Sequence, residues 1–322
     1  MRFITSLSRL GLLALLLTTS SVGQSWKPHP TNIREDLVAI YFTSASKGFI
    51  AGDRGYLAST VDGGRTWNKY PLNTTENINE IYFRNEDNGY LVAGKKVYIT
   101  SDGGTSWRET VIFRPTDFRN NTPVFLSIRF ADKKRGLAIG SILNSTGNVI
   151  DSLVMRTSDG GETWSRVMVP SKGELFHLDF NGSSHGWIVG DKGLILATTD
   201  SGGTWRIQQS GVTAALYNVD FRDDNEGYAV GESAIILRTE NGGANWERVR
   251  SSFTGTFMRV DFADDKNGWI VGHKGLILRS GDRGRTWQRV ESMSNSNLYG
   301  LHIERKFGWA VGAKGAVLEY LR

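Results

Sequence analysis

Cysteine is absent from all 322 residues, and proline occurs only six times. The lack of cysteine excludes disulfide bonds and the acylated cysteine of a bacterial lipoprotein. Beyond residue 23 no apolar run is long enough to cross a membrane as a helix. The formal net charge of +5 is too small to indicate a nucleic-acid partner. These absences leave a globular chain that is 39% hydrophobic and rich in glycine.

The N-terminus carries a pattern of its own. Arg2 and Arg9 flank its start, Leu10 to Leu17 is apolar, and Ser21 to Gly23 are small. This order predicts a secretory signal peptide over residues 1–23, cleaved after Gly23, with an uncleaved N-terminal anchor as the alternative. We therefore expect a periplasmic or secreted protein whose mature domain spans residues 24–322.

A glycine-bounded phrase with an apolar centre returns seven times along the chain. Its leading glycines are spaced by 41, 47, 50, 41, 41 and 40 residues. The copies begin at Gly48, Gly89, Gly136, Gly186, Gly227, Gly268 and Gly308. A period near 41 residues with short β-branched and aromatic runs is typical of a propeller blade of four strands. The sequence thus predicts an all-β, seven-bladed β-propeller of four-stranded antiparallel blades.

A second motif, Thr-x-Asp-Gly-Gly-x-Thr-Trp in its first copy, lies between the third and fourth strands of six repeats. It resembles the Asp-box, or bacterial neuraminidase repeat. Its acid or amide and its tryptophan are Asp62 and Trp67, Asp102 and Trp107, Asp159 and Trp164, Asp200 and Trp205, Asn241 and Trp246, and Asp282 and Trp287. An aspartate can accept backbone N–H bonds within such a turn, and tryptophan can bury a large surface. We interpret the motif as structural, because one carboxylate per turn does not suit calcium.

The two ends of the chain complement each other. The seventh repeat has three strands and no Asp-box, whereas Ser25-Trp26 matches the step that opens every fourth strand. We therefore expect the N-terminal strand to complete the last blade and close the ring, which removes an open sheet edge. The third repeat is longer than the others, and its excess at Ser141 to Asp151 predicts a longer hairpin on one face.

Two sets of residues are candidates for a binding site. One column of the first strand changes in every repeat, and we place it at the channel mouth, with plain exposure to water as the alternative. Its members are Ala39, Glu80, Ser127, His177, Asn218, Arg259 and Gly300. The hairpins on the same predicted face carry the cations Arg54, Lys95, Lys96, Lys192, Lys274 and Lys314. Such a ring of basic turns would attract an acidic loop or peptide.

The Asp-box raises the possibility of a sialidase, which needs an arginine cluster and a tyrosine–glutamate pair. Phe113-Arg114-Pro115 matches the N-terminal arginine motif of sialidases poorly, because it lacks one residue and follows the second Asp-box. The five histidines show no metal-ligand spacing. We therefore expect no enzymatic activity, no catalytic residue, no metal and no cofactor.

The two motifs join into the pattern Gly-Trp-x-Val-Gly-x-x-Gly…Gly-Gly-x-x-Trp, which is clearest at Gly186 to Trp205 and at Gly268 to Trp287. In the second copy Arg283 replaces the first glycine of the Gly-Gly pair. This pattern resembles the photosystem II stability/assembly factor family of β-propellers. The resemblance covers Ser25 to Arg322. It implies an exported, non-catalytic scaffold that binds a protein partner through a basic patch. We expect a monomer that binds an acidic segment of a membrane or envelope protein. The alternatives are a carbohydrate-active or carbohydrate-binding protein, and a structural module of a cell-surface system.

Overall fold

The computed structural model describes residues 25–321, which form seven four-stranded antiparallel sheets. The innermost strand of each sheet contacts the innermost strand of the next, and the seventh contacts the first. The sheets are therefore the blades of a closed ring around a central channel, and we number them 1 to 7 from Leu37. The prediction of a seven-bladed propeller is confirmed.

The four strands of blades 1 to 6 run outwards from the channel in chain order, and so do the first three strands of blade 7. The innermost strands are Leu37–Phe42, Ile78–Phe83, Thr122–Phe130, Leu175–Asn181, Leu216–Phe221, Phe257–Phe262 and Leu298–Ile303. The second strands are Gly48–Gly52, Gly89–Ala93, Gly136–Leu143, His185–Gly190, Gly227–Gly231, Gly268–Gly272 and Gly308–Gly312. The third strands are Leu57–Thr60, Lys96–Thr100, Val149–Thr157, Ile195–Thr198, Ile236–Thr239, Ile277–Ser280 and Val317–Leu321. The outermost strands of blades 1 to 6 are Asn68–Lys69, Arg108–Thr110, Ser165–Arg166, Arg206–Gln208, Glu247–Arg248 and Gln288–Val290. Residues 25–321 contain helix only as short 3₁₀ turns: Asp53–Gly55, Pro115–Phe118, Asp191–Gly193, Glu232–Ala234, His273–Gly275 and Ala313–Gly315.

The repeated glycines are explained by close approach within each blade. A Cβ on Gly227 would lie 2.4 Å from the Phe221 ring of the adjacent innermost strand. A Cβ on Gly231 would lie 1.9 Å from the carbonyl oxygen of Ala215. Both contacts are too short for any side chain. The phrase that defines the repeat therefore marks the two ends of the second strand, where another segment lies against its backbone.

The hydrophobic core is divided among the spaces between blades. One cluster, for example, joins Leu37 and Ile50 of blade 1 to Trp309 and Val311 of blade 7. Both faces of each sheet are buried against a neighbour, so the segment of the second strand between its two repeated glycines is apolar in every blade. Each blade therefore depends on the next for its burial, and the ring stabilises itself as a unit.

The N-terminal strand closes the ring, as predicted. Ser25–Pro28 pairs antiparallel with Val317–Leu321 and is the outermost strand of blade 7. Trp26 lies opposite Tyr320, with ring centroids 5.4 Å apart, and is fully buried. Tyr320 occupies the position at which the other blades have the first threonine or serine of the Asp-box. The aromatic pair therefore replaces the missing turn.

The six Asp-box turns share one hydrogen-bonding pattern on the face opposite the hairpins between the second and third strands. In the first turn, Asp62 accepts the backbone N–H of Thr66 at 2.9 Å and the Thr66 hydroxyl at 2.6 Å. These bonds hold the pKa of Asp62 at about 2. The N–H four residues after each acid or amide makes the same 2.9 Å bond in all six turns. Trp67 packs edge-on against Phe42 of its own blade, and Trp107, Trp164, Trp246 and Trp287 make the same contact in theirs.

Blade 3 has the longer hairpin that the sequence predicts. Its second and third strands, Gly136–Leu143 and Val149–Thr157, run through most of the extra segment. The connecting turn is held by Asn144, whose Oδ1 accepts the backbone N–H groups of Thr146 and Asn148. The excess residues thus extend a regular sheet beyond the length of its neighbours.

The predicted signal peptide, residues 1–23, lies outside the described residues. Within residues 25–321, no helix has the length and apolar character needed to span a membrane.

Candidate functional site: the hairpin face and the central channel

The hairpins between the second and third strands place cations at fixed tips. In blade 1, Asp53 to Tyr56 form a turn with both central residues at positive φ, 54° for Arg54 and 69° for Gly55. This is a type I′ turn, in which the first central position favours asparagine, aspartate or glycine. Blades 4, 6 and 7 have lysine there, at Lys192, Lys274 and Lys314, with φ between 53° and 57°. Four tips therefore carry a long cation where a small residue is intrinsically preferred.

The backbone of the tips is held by polar groups nearby. The N–H of Arg54 donates to Asn77 Oδ1 at 3.0 Å, and the N–H of Lys274 donates to Asn297 Oδ1 at 3.0 Å. The N–H of Lys314 donates to Asp36 Oδ1 at 2.8 Å, and that of Lys192 to Asp191 Oδ1 at 2.8 Å. The side chains themselves are exposed. Each cation is thus presented to solvent from a fixed backbone. We call Arg54, Lys192, Lys274 and Lys314 the tip cations.

The remaining blades differ at this position. Blade 2 has a shorter turn with Lys95 exposed, while Lys96 pairs with Glu109 at 2.8 Å. Blade 5 has Ser233 at the tip, with φ of 55°. The cationic ring predicted from sequence is therefore interrupted at blade 5 and by the long hairpin of blade 3.

Acids on the same face offset only part of this charge. Glu35 lies 3.4 Å from Arg54, and Asp191 lies 4.0 Å from Lys192. Glu232 accepts the hydroxyl of Tyr217 at 2.8 Å. No ion pair joins Lys274 or Lys314 to an acid within the described part of the chain. The charges of Lys274 and Lys314 are therefore not offset by a direct ion pair.

The variable column lies inside the channel wall, below the mouth at which the sequence analysis placed it. Glu80, His177 and Asn218 are at most 5% exposed. Their acceptors bind backbone N–H groups of the next innermost strand: Ile128 to Glu80 at 2.8 Å, Leu178 to Ser127 at 3.2 Å, Val219 to His177 at 3.5 Å and Val260 to Asn218 at 2.9 Å.

The physical reason for this pattern is the free edge of each innermost strand. Half of its backbone groups point away from the second strand and into the channel. Buried backbone N–H groups must be satisfied, and there is no further strand to do it. Side chains from the preceding blade supply the acceptors instead. The variation of the column therefore reflects different ways of satisfying the same donor, and a binding role for Glu80, His177, Asn218 and Arg259 stays a prediction.

Glu80 is the centre of a buried charge cluster. Its Oε1 lies 2.8 Å from the guanidinium of Arg129, 3.3 Å from Nε2 of His177 and 3.4 Å from the guanidinium of Arg259. Burial opposes its ionisation, but Arg129 and His177 outweigh burial and hold the pKa of Glu80 well below its usual range. Burial and the nearby Arg259 lower the pKa of His177 to about 3. His177 is therefore neutral at pH 7, and Glu80 is charged.

A second polar column, two residues further along each innermost strand, was missed by the sequence analysis. Asp179 accepts the N–H of Phe221 at 2.8 Å, and Asp261 accepts that of Ile303 at 3.1 Å. Burial raises the pKa of Asp179 to about 6 and that of Asp261 to about 7. Burial also raises the pKa of Asp220, and the nearby charge of Asp261 raises it further. The signal was present in the aligned repeats as a row of non-aliphatic residues: Tyr41, Tyr82, Arg129, Asp179, Asp220, Asp261 and His302.

The channel holds arginines, tyrosines and a glutamate, so the sialidase arrangement must be tested against its geometry. Both Arg129 and Arg259 pair with Glu80, which occupies their guanidinium groups. The hydroxyls of Tyr41 and Tyr82 donate to backbone carbonyls of the next blade. Burial raises the pKa of Tyr41 to about 12, which opposes a nucleophilic role. Within residues 25–321 no tyrosine–glutamate hydrogen bond occurs in the channel, and no cluster of three ligating side chains suits a metal ion.

Comparison with known proteins agrees with the repeat pattern. The family model described as "Photosynthesis system II assembly factor YCF48" matches residues 18–79, 67–173, 162–254 and 251–321. The chain belongs to the YCF48 family. A sequence search of curated proteins finds no match. The resemblance of Gly186 to Trp205 to this family, inferred from sequence, is thereby confirmed.

Solved structures of YCF48 share the fold. A structure of YCF48 bound to D1 peptide is 21% identical with a TM-score of 0.74, covering 92% of this chain and 97% of that one. YCF48 from Cyanidioschyzon merolae is 18% identical with a TM-score of 0.72, covering 92% and 98%. Virginiamycin B lyase from Staphylococcus aureus is 11% identical with a TM-score of 0.76, covering 93% and 99%. At these identities the similarity establishes the propeller and leaves activity open.

Proposed function

We propose that this protein is a non-catalytic scaffold that binds an acidic segment of a protein partner on its hairpin face. The observation that carries the proposal is the placement of the tip cations. Four cations occupy left-handed positions at which asparagine or glycine would be more stable. The same disfavoured position holds an exposed cation in four blades on one face of the ring, which supports a role in binding.

Two further observations support a scaffold. In the channel, Glu80, Asp179 and Arg129 hydrogen-bond the neighbouring blade or pair with one another, so these side chains serve the ring itself. A family relative, YCF48, has been solved with a D1 peptide bound. By extension from that relative, we propose that this chain also binds a peptide or protein. We also propose that it is a monomer in solution.

The test is affinity purification with purified, tagged protein from an extract of the native envelope. The double variant Lys192→Glu/Lys274→Glu reverses two exposed tips and should lose the captured partner. Arg206→Glu/Arg289→Glu changes the same charge on exposed outer strands and is the matched control. Equal capture by wild type and both variants would contradict the proposal, as would hydrolysis of a fluorogenic sialoside or other glycoside by the purified protein.

We also propose that the protein is exported. Arg2, Arg9 and the apolar run that follows support this proposal. N-terminal sequencing of the protein recovered from its native cells should begin at Gln24. A mature N-terminus at Met1, or recovery with the cytosolic fraction, would contradict export.

A further inference from the structure

Each innermost strand contains an extra residue at the same place. The register with the second strand shifts by one between Leu37 and Ala39 in blade 1, and equivalently in all seven blades. Such a bulge redirects the extra side chain away from the regular alternation. The seven residues are Val38, Asn79, Leu126, Phe176, Tyr217, Met258 and Tyr299. We call them the mouth ring, because they lie where the innermost strands begin, on the hairpin face.

The mouth ring is apolar although its surroundings are polar. Six of its seven members are aliphatic, aromatic or methionine, and all seven are partly exposed. The column just below contains Glu80, His177, Asn218 and Arg259. Core packing therefore does not account for the apolar choice. A ring of partly exposed apolar side chains around a concave opening is typical of a surface that binds a partner.

The mouth ring is continuous with the hairpin tips. The rings of Phe176 and Tyr217 lie 5.1 Å apart across two blades. Tyr217 donates to Glu232, the residue before the tip of blade 5. Tyr299 contacts His273, which precedes the tip cation Lys274, with ring centroids 6.2 Å apart. A ligand seated at the mouth would therefore also reach charged tips.

We propose that the mouth ring receives an apolar or aromatic side chain of the bound segment, while acidic residues flanking that side chain contact the tip cations. This inference rests on the proposed function and specifies its ligand as a peptide with an apolar anchor between carboxylates. The channel below has a cavity of about 270 Å³ lined by charged and polar side chains such as Asp220 and Arg259, which disfavour an apolar group, so the anchor stops at the mouth. Acids such as Glu35 and Asp191 interrupt the basic tips, which favours a peptide over the continuous phosphate backbone of a nucleic acid.

The experiment pans a phage library of random dodecapeptides against the immobilised, purified full-length domain. Enriched peptides are then synthesised with a fluorophore and titrated against wild type and three variants. The mouth variant is Leu126→Ser/Phe176→Ser/Met258→Ser. The single substitution Met258→Gln tests the same surface with less risk of misfolding. The tip variant is Lys192→Glu/Lys274→Glu. The control is Val61→Ser/Met168→Ser, which removes two exposed apolar side chains outside the mouth. Thermal melting verifies that every variant folds.

The expected consensus has an aromatic or aliphatic residue within three positions of two acids. Its affinity should fall at least about tenfold on the mouth variant and severalfold on Met258→Gln, because burial of one such side chain is lost. The control should bind as wild type does. Acidic peptides that need the tips but not the mouth would overturn this inference and leave the scaffold function standing. Peptides whose affinity does not change on tip reversal would overturn both proposals. Displacement of the bound peptide by a dT12 oligonucleotide would indicate that the mouth ring stacks on nucleic-acid bases, and would overturn the proposed peptide anchor.

Discussion

Glu80 of blade 2 and Arg129 of blade 3 form an ion pair of 2.8 Å inside the channel wall. Glu80 also accepts the N–H of Ile128 at 2.8 Å, so one side chain joins two blades twice. Both residues lie on innermost strands, whose free edges would otherwise leave backbone groups unsatisfied. The pair therefore links blades 2 and 3 at the innermost strands, where the hydrogen bonding between strands of each sheet ends.

Removal of Glu80 should be costly, because it leaves the buried guanidinium of Arg129 without its main partner. We expect Glu80→Ala to lower the free energy of unfolding by about 3–5 kcal/mol, measured by urea denaturation. Ser127→Ala, which removes a single acceptor from the same column, should cost only about 1–2 kcal/mol. Equal losses for the two variants would show that the charge pair adds nothing to the backbone bond.

Ring closure makes a separate prediction about Trp26. This side chain is fully buried against Tyr320 at the junction of the two chain ends. Trp26→Ala should cost about 3–5 kcal/mol and lower the melting temperature by several degrees. Deletion of Ser25 to Thr31 should lower it further, whereas Lys27→Ala, at an exposed position of the same strand, should not. An unchanged melting curve for the deletion would refute closure by this strand.

The blades could be predicted from sequence because their defining contacts repeat. The approach of Phe221 to Gly227 recurs in similar form in every blade, so the phrase and its period carry the fold. The outermost strands of blades 1 to 6 begin one residue after the tryptophan, at Asn68 after Trp67 for example, whereas the sequence pattern predicted that they begin at the tryptophan itself.

The candidate site was predicted less completely. A bulge present in every repeat leaves the period unchanged, so Val38 and its equivalents give no signal in the spacing. The exposed tips could be predicted, because a turn with Arg54 before Gly55 indicates a hairpin on its own. The burial of Glu80 could not be predicted from the sequence, because it depends on the free strand edge of the next blade. Pairing across blades is a property of the closed ring.

The hairpin tips make a prediction in which stability and binding move in opposite directions. Lys192→Asn and Lys274→Asn place a residue suited to positive φ at a left-handed position. Each should raise the free energy of unfolding by about 0.5–1 kcal/mol and weaken binding of an acidic peptide. Ser233→Asn, at the equivalent tip of blade 5, should stabilise without affecting binding. A loss of stability in the lysine variants would show that the cations serve the fold.

The partly buried aspartates of the channel predict a decline in stability as pH rises. Burial raises the pKa of Asp261 to about 7, with Glu304 adding to the shift and the N–H of Ile303 opposing it. Between pH 4 and pH 7 the folded state therefore binds more protons than the unfolded state, and this group's contribution to stability falls as pH increases. His177, with its pKa lowered to about 3, acts in the opposite direction, because its contribution rises with pH up to about 6.5.

The variant Asp261→Asn separates these opposing contributions, because asparagine keeps an oxygen for the N–H of Ile303 and cannot ionise. The stability of the variant relative to wild type should increase by about 3–4 kcal/mol between pH 4 and pH 7, as the wild-type carboxyl loses its proton. Urea unfolding at half-unit pH steps measures this difference. Asp265→Asn, at a largely exposed carboxylate, should run parallel to wild type over the same range. A parallel curve for Asp261→Asn as well would show that Asp261 ionises as freely in the channel as in water.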